Sequence, residues 1–311
     1  MRKEINEFLK SLLSFSVFTL FFYVLMICIL GDYFPDIFKK NLKYVIGGNT
    51  FTRLQEVKDV KDVDILFLGS SHAYRGFDTR IFKNAGFTSF NLGSSSQTPI
   101  ETEVLLKRYL DRLNPKLIVY EVYPQTFSID GIESSLDIIS NDINDINSIK
   151  MAIKLNNVKV YNTLVYSFYR DLFNKNIIYK GSVLNDDDNY IPGGYVQKKL
   201  KYYKHIKHAT NKWKTNEEQF SSFENILKIV KKSKIRMIFV QAPLTKSFYI
   251  SYSNNDEFSK KMRTYGDYHN YNSMIELNDS LHFYDENHLN QKGVEIFNKI
   301  LIESLVMMKI K

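Results

Sequence analysis

Two short stretches near opposite ends of the chain carry the residue types of nucleophilic catalysis. One is "LFLGSSHAYRGFD", Leu66 to Asp78; the other is "FYDENHLNQKG", Phe283 to Gly293. A serine hydroxyl attacks poorly unless a base takes its proton. A histidine base in turn needs a carboxylate to hold its tautomer and stabilise its imidazolium form. Asp285 and His288 are three residues apart, close enough for the carboxylate to reach the ring within one turn of chain. Ser71 follows an apolar run, a glycine and a first serine. A serine at such a strand-to-helix turn projects its Oγ from a sheet edge, and nearby backbone N–H groups face the place where an oxyanion would form. Both stretches also have plainer readings. Ser70 and Ser71 could simply cap a helix, and Asp-x-x-His is short enough to occur in any surface turn.

Those residues need a frame. "VDILFLGSS", "FTSFNLGSSS", "KLIVYEVYP" and "KIRMIFVQAP" each read as a short buried strand running into turn residues. "PIETEVLLKRYLDRLNP" reads as a helix with Pro99 in its first turn, Leu106, Leu110 and Leu113 on one face, and Asn114-Pro115 as its stop. Thr215-x-x-Glu218 has the form of a capping box before a stripe of Phe220, Phe223, Leu227 and Val230. Asn290 can cap a last helix carrying Val294, Phe297, Leu301 and Leu305. Strands alternating with helices predict an α/β fold, a parallel sheet covered on both faces. Sites in such sheets form at the carboxyl ends of the strands, where "GSSH", "NLGSSSQTP", "YP" and "QAP" all fall. Residues 125–214 break the rhythm. They are polar and rich in Asn and Asp, with "YIPGGY" as a turn, and too long for a plain connection. They read as a partly helical insertion over the site's side of the sheet, or as a surface excursion.

The N-terminus has a different character. From Ser11 to Gly31 the chain carries no charge, about the ~20 residues a helix needs to cross a hydrocarbon core. The run ends "MICILGDYF", without the small-x-small site of a cleaved signal peptide, so an uncleaved anchor is expected. The organisation is then a tail at 1–10, a transmembrane helix at 11–31, a juxtamembrane segment at 32–62 and an α/β domain at 63–311. Arg2, Lys3 and Lys10 on one side nearly balance Lys39, Lys40 and Lys43 on the other, so charge leaves the orientation open. The net charge of +8 is spread thinly, which argues against nucleic acid as a partner. The lone Cys28 cannot form an internal disulfide. His205, His208, His269 and His282 show no metal-ligand spacing, and there is no phosphate-binding or dinucleotide fingerprint. No metal and no cofactor are expected.

The pairing of strand-Gly-Ser-Ser at the start of the α/β region with "DENHLNQKG" before its last helix resembles the SGNH (GDSL-type) hydrolase superfamily. The resemblance implies a three-layer α/β/α sandwich with a mainly parallel, flavodoxin-like sheet. It implies Ser71 as nucleophile, His288 as general base and Asp285 as its orienter. The backbone N–H groups of Ser71 and Ser96 would be oxyanion donors, with Ser96 standing where the family usually has glycine and Gly93 shaping the turn or lining the substrate. Ser70 replaces the family's aspartate, similar to membrane-anchored members that modify envelope polymers. The asparagine of the family's third block is absent: Tyr123-Pro124-Gln125 stands there, leaving Gln125 and Gln241 as substitute donors or ordinary loop residues. Arg75 could bind a polar substrate group or pair with Asp78.

By that resemblance the chain is expected to transfer an acyl group to, or remove one from, cell-surface polysaccharide on the outer side of the membrane. A multi-spanning membrane acyltransferase would be its partner. A catalytically weak glycan-binding or scaffold subunit and a lipid hydrolase are the competing expectations.

Overall fold

The fold, taken from a computed structural model, is described for residues 1–35, 37, 42, 47–175, 184–185 and 187–308. A long apolar helix α1 (Arg2–Tyr33) precedes a 3₁₀ turn (Gly47–Asn49) and α2 (Thr50–Glu56). Then come β1 (Ile65–Leu68), α3 (Ser71–Gly76), α4 (Thr79–Asn84), β2 (Ser89–Asn91), α5 (Pro99–Leu113) and β3 (Leu117–Glu121). A second 3₁₀ turn (Pro124–Phe127) opens a helical unit of α6 (Ile132–Asn141), α7 (Ile146–Leu155) and α8 (Val158–Leu172). A small antiparallel sheet follows: β4 (Leu184–Asn185), β5 (Asp188–Ile191) and β6 (Tyr195–Lys198). The chain continues through α9 (Glu217–Lys232), β7 (Arg236–Gln241), α10 (Lys246–Ser251), α11 (Asn255–Tyr265), β8 (Tyr268–Asn270), α12 (Asp279–His282) and α13 (Gln291–Met307).

The central sheet has the order β2-β1-β3-β7-β8 and every pairing in it is parallel. β1 and β3 at its centre are buried throughout, so they read as apolar runs rather than alternating ones. The period of two still decides which layer each residue meets. Leu66, Leu68, Ile118 and Tyr120 join α5, α9 and α11 on one side. Ile65, Phe67, Leu117, Val119, Ile238 and Val240 join α3, α4 and α13 on the other. The three-layer arrangement follows. Strand order reverses at β1, with β2 on one side and β3 on the other, and the crevice outside their carboxyl ends is where such sheets bind ligands.

The helix ends show how local chemistry places these elements. Thr98 and Glu101 form a capping box at α5, with Pro99 in its first turn, and Asn114 closes it in a left-handed conformation. Asn290 caps α13 by accepting from the Gly293 N–H. The expected box at Thr215 is corrected: Asn216 is the cap, accepting from the Glu218 N–H, and α9 starts one residue later. β8, an edge strand reading Tyr-His-Asn, has no apolar run to announce it.

The 125–214 region divides into two parts. Its helices α6–α8 pack on α5 and on the end of α1, while its β5–β6 hairpin packs on α3. The hairpin turn reaches the carboxyl end of β2, where Gly193 O accepts from the Asn91 N–H at 2.8 Å. Gly194 (φ +89°) lies so close over the Asn91 carbonyl that a Cβ would overlap it. Leu54 and Val57 belong to the core, so the packing of the α/β unit begins before residue 63.

α1 is long and apolar enough to cross a membrane, and little of its apolar stretch is covered by protein. The Lys39, Lys40 and Lys43 side of the charge balance lies outside the described residues.

Candidate active site

β1 ends at Leu68, and Gly69 makes the turn at φ +135°. Only glycine tolerates that conformation here, and a Cβ would also stand 2.8 Å from the Glu121 carbonyl oxygen. Ser70 then caps α3, its Oγ accepting from the His72 N–H at 3.4 Å. The capping and the catalytic readings of "SS" are therefore split between the two residues. Ser70 does the capping, and Ser71, at the first helical position, is left free for chemistry.

Ser71 Oγ lies 2.8 Å from His288 Nε2. On the far side of the ring, His288 Nδ1 faces Asp285 Oδ2 at 2.9 Å and Oδ1 at 3.1 Å. A carboxylate can only accept, so Nδ1 carries the proton and Nε2 is the free base toward the serine. The Asp285 Oδ1 also accepts the backbone N–H groups of Asn287 (3.0 Å) and His288 (2.7 Å), which ties the loop into a tight turn. Burial pushes the Asp285 carboxyl up. The His288 hydrogen bond and charge and the two N–H groups more than offset this, so it lies below its ordinary value and stays ionised.

The base is held between two rings. Tyr284 stacks on His288 at 5.4 Å between centroids, 5° off parallel, and His72 stacks at 4.7 Å, 14° off parallel. His72 is itself pinned. Its Nε2 meets the Asn287 carbonyl oxygen at 2.7 Å, so that nitrogen carries the proton, and its Nδ1 faces Ser70 Oγ at 3.3 Å. Burial, reinforced by the neighbouring His288, drives His72 well below the ordinary imidazole value, so it stays neutral. The helix bearing Ser71 is thus bonded to the loop bearing His288.

Beneath this relay lies a second Ser–His–acid set. Glu121, at the end of β3, has Oε2 3.5 Å from Ser70 Oγ, beside His72. All three residues are buried, whereas Ser71, Asp285 and His288 are half-buried. Burial raises Glu121 to about 8, so it is mostly uncharged at neutral pH. An acid raised in this way keeps a proton that the unfolded chain releases above its ordinary value of about 4.3. Its contribution to folding stability therefore falls as pH rises from there toward about 8. Glu121→Gln is expected to gain stability relative to the parent between pH 5 and pH 8, read as a Tm difference at each pH. A difference independent of pH would show that Glu121 is ionised in the fold.

The loop after β2 packs against the turn that carries Ser71. Asn91 Nδ2 donates to the Ala73 carbonyl (2.7 Å) and its Oδ1 accepts the Gly93 N–H (3.0 Å). Gly93 packs so closely that a Cβ would stand 2.8 Å from the Ser70 carbonyl oxygen. Gly93 thus packs against the turn that carries Ser71. Ser96 adopts φ +51°, the left-handed conformation a glycine would take, at a cost of roughly 1–3 kcal/mol for a residue with a Cβ.

The fold also places three other named residues. Arg75 neither pairs with Asp78 nor points free. It clamps Asp188 on β5 through two bonds of 3.0 and 2.8 Å, and only 12% of its side chain is exposed. Asp78 instead caps α4 and pairs with Arg80. Gln125 stands exposed on the 3₁₀ turn. Gln241 is buried and its Oε1 accepts from Tyr268 Oη at 2.6 Å. In the place of the third-block asparagine, the Tyr123 ring packs on His72 at 4.1 Å, and its hydroxyl faces Asn287 Nδ2 at 3.4 Å.

Sequence reading passed over His72, Glu121 and Tyr284. An acid inside the apolar run "LIVYEV" was a signal for Glu121. Nothing in the spacing announces the two rings that hold His288. Among the described residues no group of three His, Cys, Asp or Glu is placed to hold a metal ion.

No protein-family model matches the sequence, and no curated protein matches it. Among the solved structures to which the chain is similar are two from Bacteroides. One is assigned as an acylhydrolase from Bacteroides fragilis, at 14% identity and a TM-score of 0.43, covering 85% of this chain and 99% of that one. The other is a GDSL-like lipase from Bacteroides thetaiotaomicron, at 13% identity and a TM-score of 0.40, covering 83% of this chain and 98% of that one. The chemistry has to be read from the site's own residues.

Proposed function

We propose that this chain is a membrane-anchored serine acyl-ester enzyme of the SGNH type. The observation that carries the reading is the Ser71–His288–Asp285 relay, with Ser71 Oγ 2.8 Å from a base oriented by a carboxylate. Ser71 Oγ attacks an ester carbonyl and its proton passes to His288 Nε2. The tetrahedral oxyanion faces backbone N–H groups, for which Ser71 and Ser96 are the candidates. Collapse expels the leaving alkoxide, which takes the proton from His288, and leaves an acyl-serine. An acceptor hydroxyl, from water or from a sugar, then gives its proton to His288 and attacks the acyl carbon. Ser71 recovers its proton as the acyl group departs.

Transfer of acetyl to a cell-surface polysaccharide is the favoured outcome. A helix able to cross a membrane makes sense where the acyl donor is a membrane protein, so a multi-spanning acyltransferase is the partner in this reading and the catalytic domain faces outward. One observation favours a second reading, a glycan-binding subunit with little catalysis. Tyr123 occupies the position of a side-chain oxyanion donor, and losing such a donor costs about 10²–10³ in rate.

The test is hydrolysis of p-nitrophenyl esters from acetyl to dodecanoyl by the full chain in detergent. Acetyl preferred over dodecanoyl by more than about tenfold is expected. Preference for dodecanoyl would point to lipid hydrolysis, and no turnover of any ester, with the fold intact, would favour the binding subunit.

A further inference from the structure

The β5–β6 hairpin and the start of α13 border a groove of about 620 Å³, within the ~300–1,000 Å³ usual for small-ligand sites. It lies beside the candidate active site. Its wall includes Asp188, which Arg75 clamps from α3, and Arg75 follows Ser71 by one helical turn. It also includes Gln291. Three residues of chain from His288, the Gln291 Cα can be no more than about 11 Å from the His288 Cα. The groove therefore begins one helical turn and one ion pair away from Ser71.

The lining points to one class of ligand. Asn189 and Gln197 stand directly opposite each other across the hairpin ladder, about 5 Å apart at Cβ. Tyr195 shares their face, and its hydroxyl donates to Gln291 Oε1 at 2.8 Å, which holds that face against α13. Both amide side chains are half-buried, both line the groove, and neither has a hydrogen-bond partner among the described residues. Two adjacent carboxamides present donors and acceptors side by side, the pattern that matches neighbouring hydroxyls. Leu200 is the only apolar residue among the described residues that line the groove, so an acyl chain would bury little apolar surface there. The lining charges balance, with Asp187, Asp188 and Glu295 against Lys198, Lys199 and Lys292, so a polyanion finds no net attraction. Tyr202, 47% exposed, lies under Lys292 with its ring centroid 5.3 Å from Nζ. An exposed ring there offers a flat face to a sugar.

We propose that this groove is a subsite for a neutral glycan, holding the sugar units next to the one that reacts at Ser71. Asn189 and Gln197 bond neighbouring hydroxyls, and the glycan continues past the Arg75–Asp188 pair to the nucleophile. The subsite deepens the polysaccharide part of the reading above and rests on it. It also gives the hairpin a task. An insertion that carries no member of the Ser71–His288–Asp285 relay sets where the glycan lies relative to that relay.

The experiment titrates the full chain in detergent with hexamers of cellulose, xylan, amylose and chitin as neutral probes, and with hexamers of galacturonate and hyaluronan as anionic ones. Calorimetry gives the Kd. At least one neutral hexamer is expected to bind, and its monosaccharide at least about tenfold more weakly. Asn189→Ala combined with Gln197→Ala should weaken that hexamer at least about tenfold, and Lys260→Ala on α11 should leave it unchanged. Thermal unfolding checks each fold. Should the double variant unfold, Gln197→Glu carries the test. Its carboxylate has the same shape but cannot donate, and about a fivefold loss is expected. Binding of no hexamer, binding of the anionic ones only, or unchanged binding in a folded variant would overturn the subsite. Hydrolysis of p-nitrophenyl acetate by the same parent protein separates the two readings. Turnover without glycan binding would remove the subsite and leave the serine chemistry. Glycan binding without turnover would remove that chemistry and leave the subsite to a binding subunit.

Discussion

Ser71→Ala is expected to abolish covalent labelling by a fluorophosphonate probe, and His288→Ala to slow it by at least about 10³-fold, while Ser70→Ala keeps its label. The contrast is sharp because both serines lie in a Ser–His–acid set on the same turn. Ser71 meets His288 Nε2 at 2.8 Å and is half-buried. Ser70 meets His72 and Glu121 at longer range and is 2% exposed, so a probe's phosphorus cannot reach its oxygen. The partners differ as well. His288 has an ionised carboxylate behind it, whereas His72 is neutral with Nε2–H committed to a backbone carbonyl, and Glu121 sits at about 8. Ser70→Ala should instead cost stability: about 1 kcal/mol for the lost cap, and a further ~1–3 kcal/mol for the buried His72 nitrogen left unpaired. Thermal unfolding and labelling measured on the same samples separate the effects. Labelling that persists in Ser71→Ala, or vanishes in Ser70→Ala with Tm unchanged, would assign the nucleophile to the wrong residue.

The parts of this site legible in the sequence are those fixed by short-range rules. A buried strand reads as an apolar run, and a glycine after it reads as a sharp turn. Asp285 and His288 sit close enough in sequence that one turn must bring them together. What escaped needed either competition between local partners or contacts across the fold. Asp78 was within reach of Arg75, but its carboxylate is taken by the Arg80 N–H and guanidinium at the start of α4. Arg75 then finds Asp188, which comes from a hairpin whose place against α3 no periodicity reveals. His72 was visible as a residue, but its task depends on Asn287, which the fold brings beside it from the far end of the chain. β8 was silent because it is three residues long and its buried Asn270 is held by hydrogen bonds to Tyr249 and Ser259 rather than by apolar contacts.

Asp285→Asn is expected to keep the fold and lose most of the rate. An asparagine Oδ1 can still accept the N–H groups of Asn287 and His288, so the turn at 285–288 survives. Tyr284 and His72 still grip the imidazole from both faces, so the ring keeps its position. What changes is the proton. An amide can present its NH₂ to Nδ1, which would then become the acceptor and leave Nε2–H pointing at Ser71, the tautomer that cannot act as base. The negative charge that steadies the imidazolium is lost too. Together these cost about 10²–10⁴ in turnover or labelling rate. Asp285 is held below its ordinary value, burial pushing it up and the His288 hydrogen bond and charge with two backbone N–H groups more than offsetting this, so the charge that Asp285→Asn removes is present throughout the neutral range. A variant with an unchanged Tm and a rate within threefold of the parent would show that Asp285 shapes the loop without serving the chemistry.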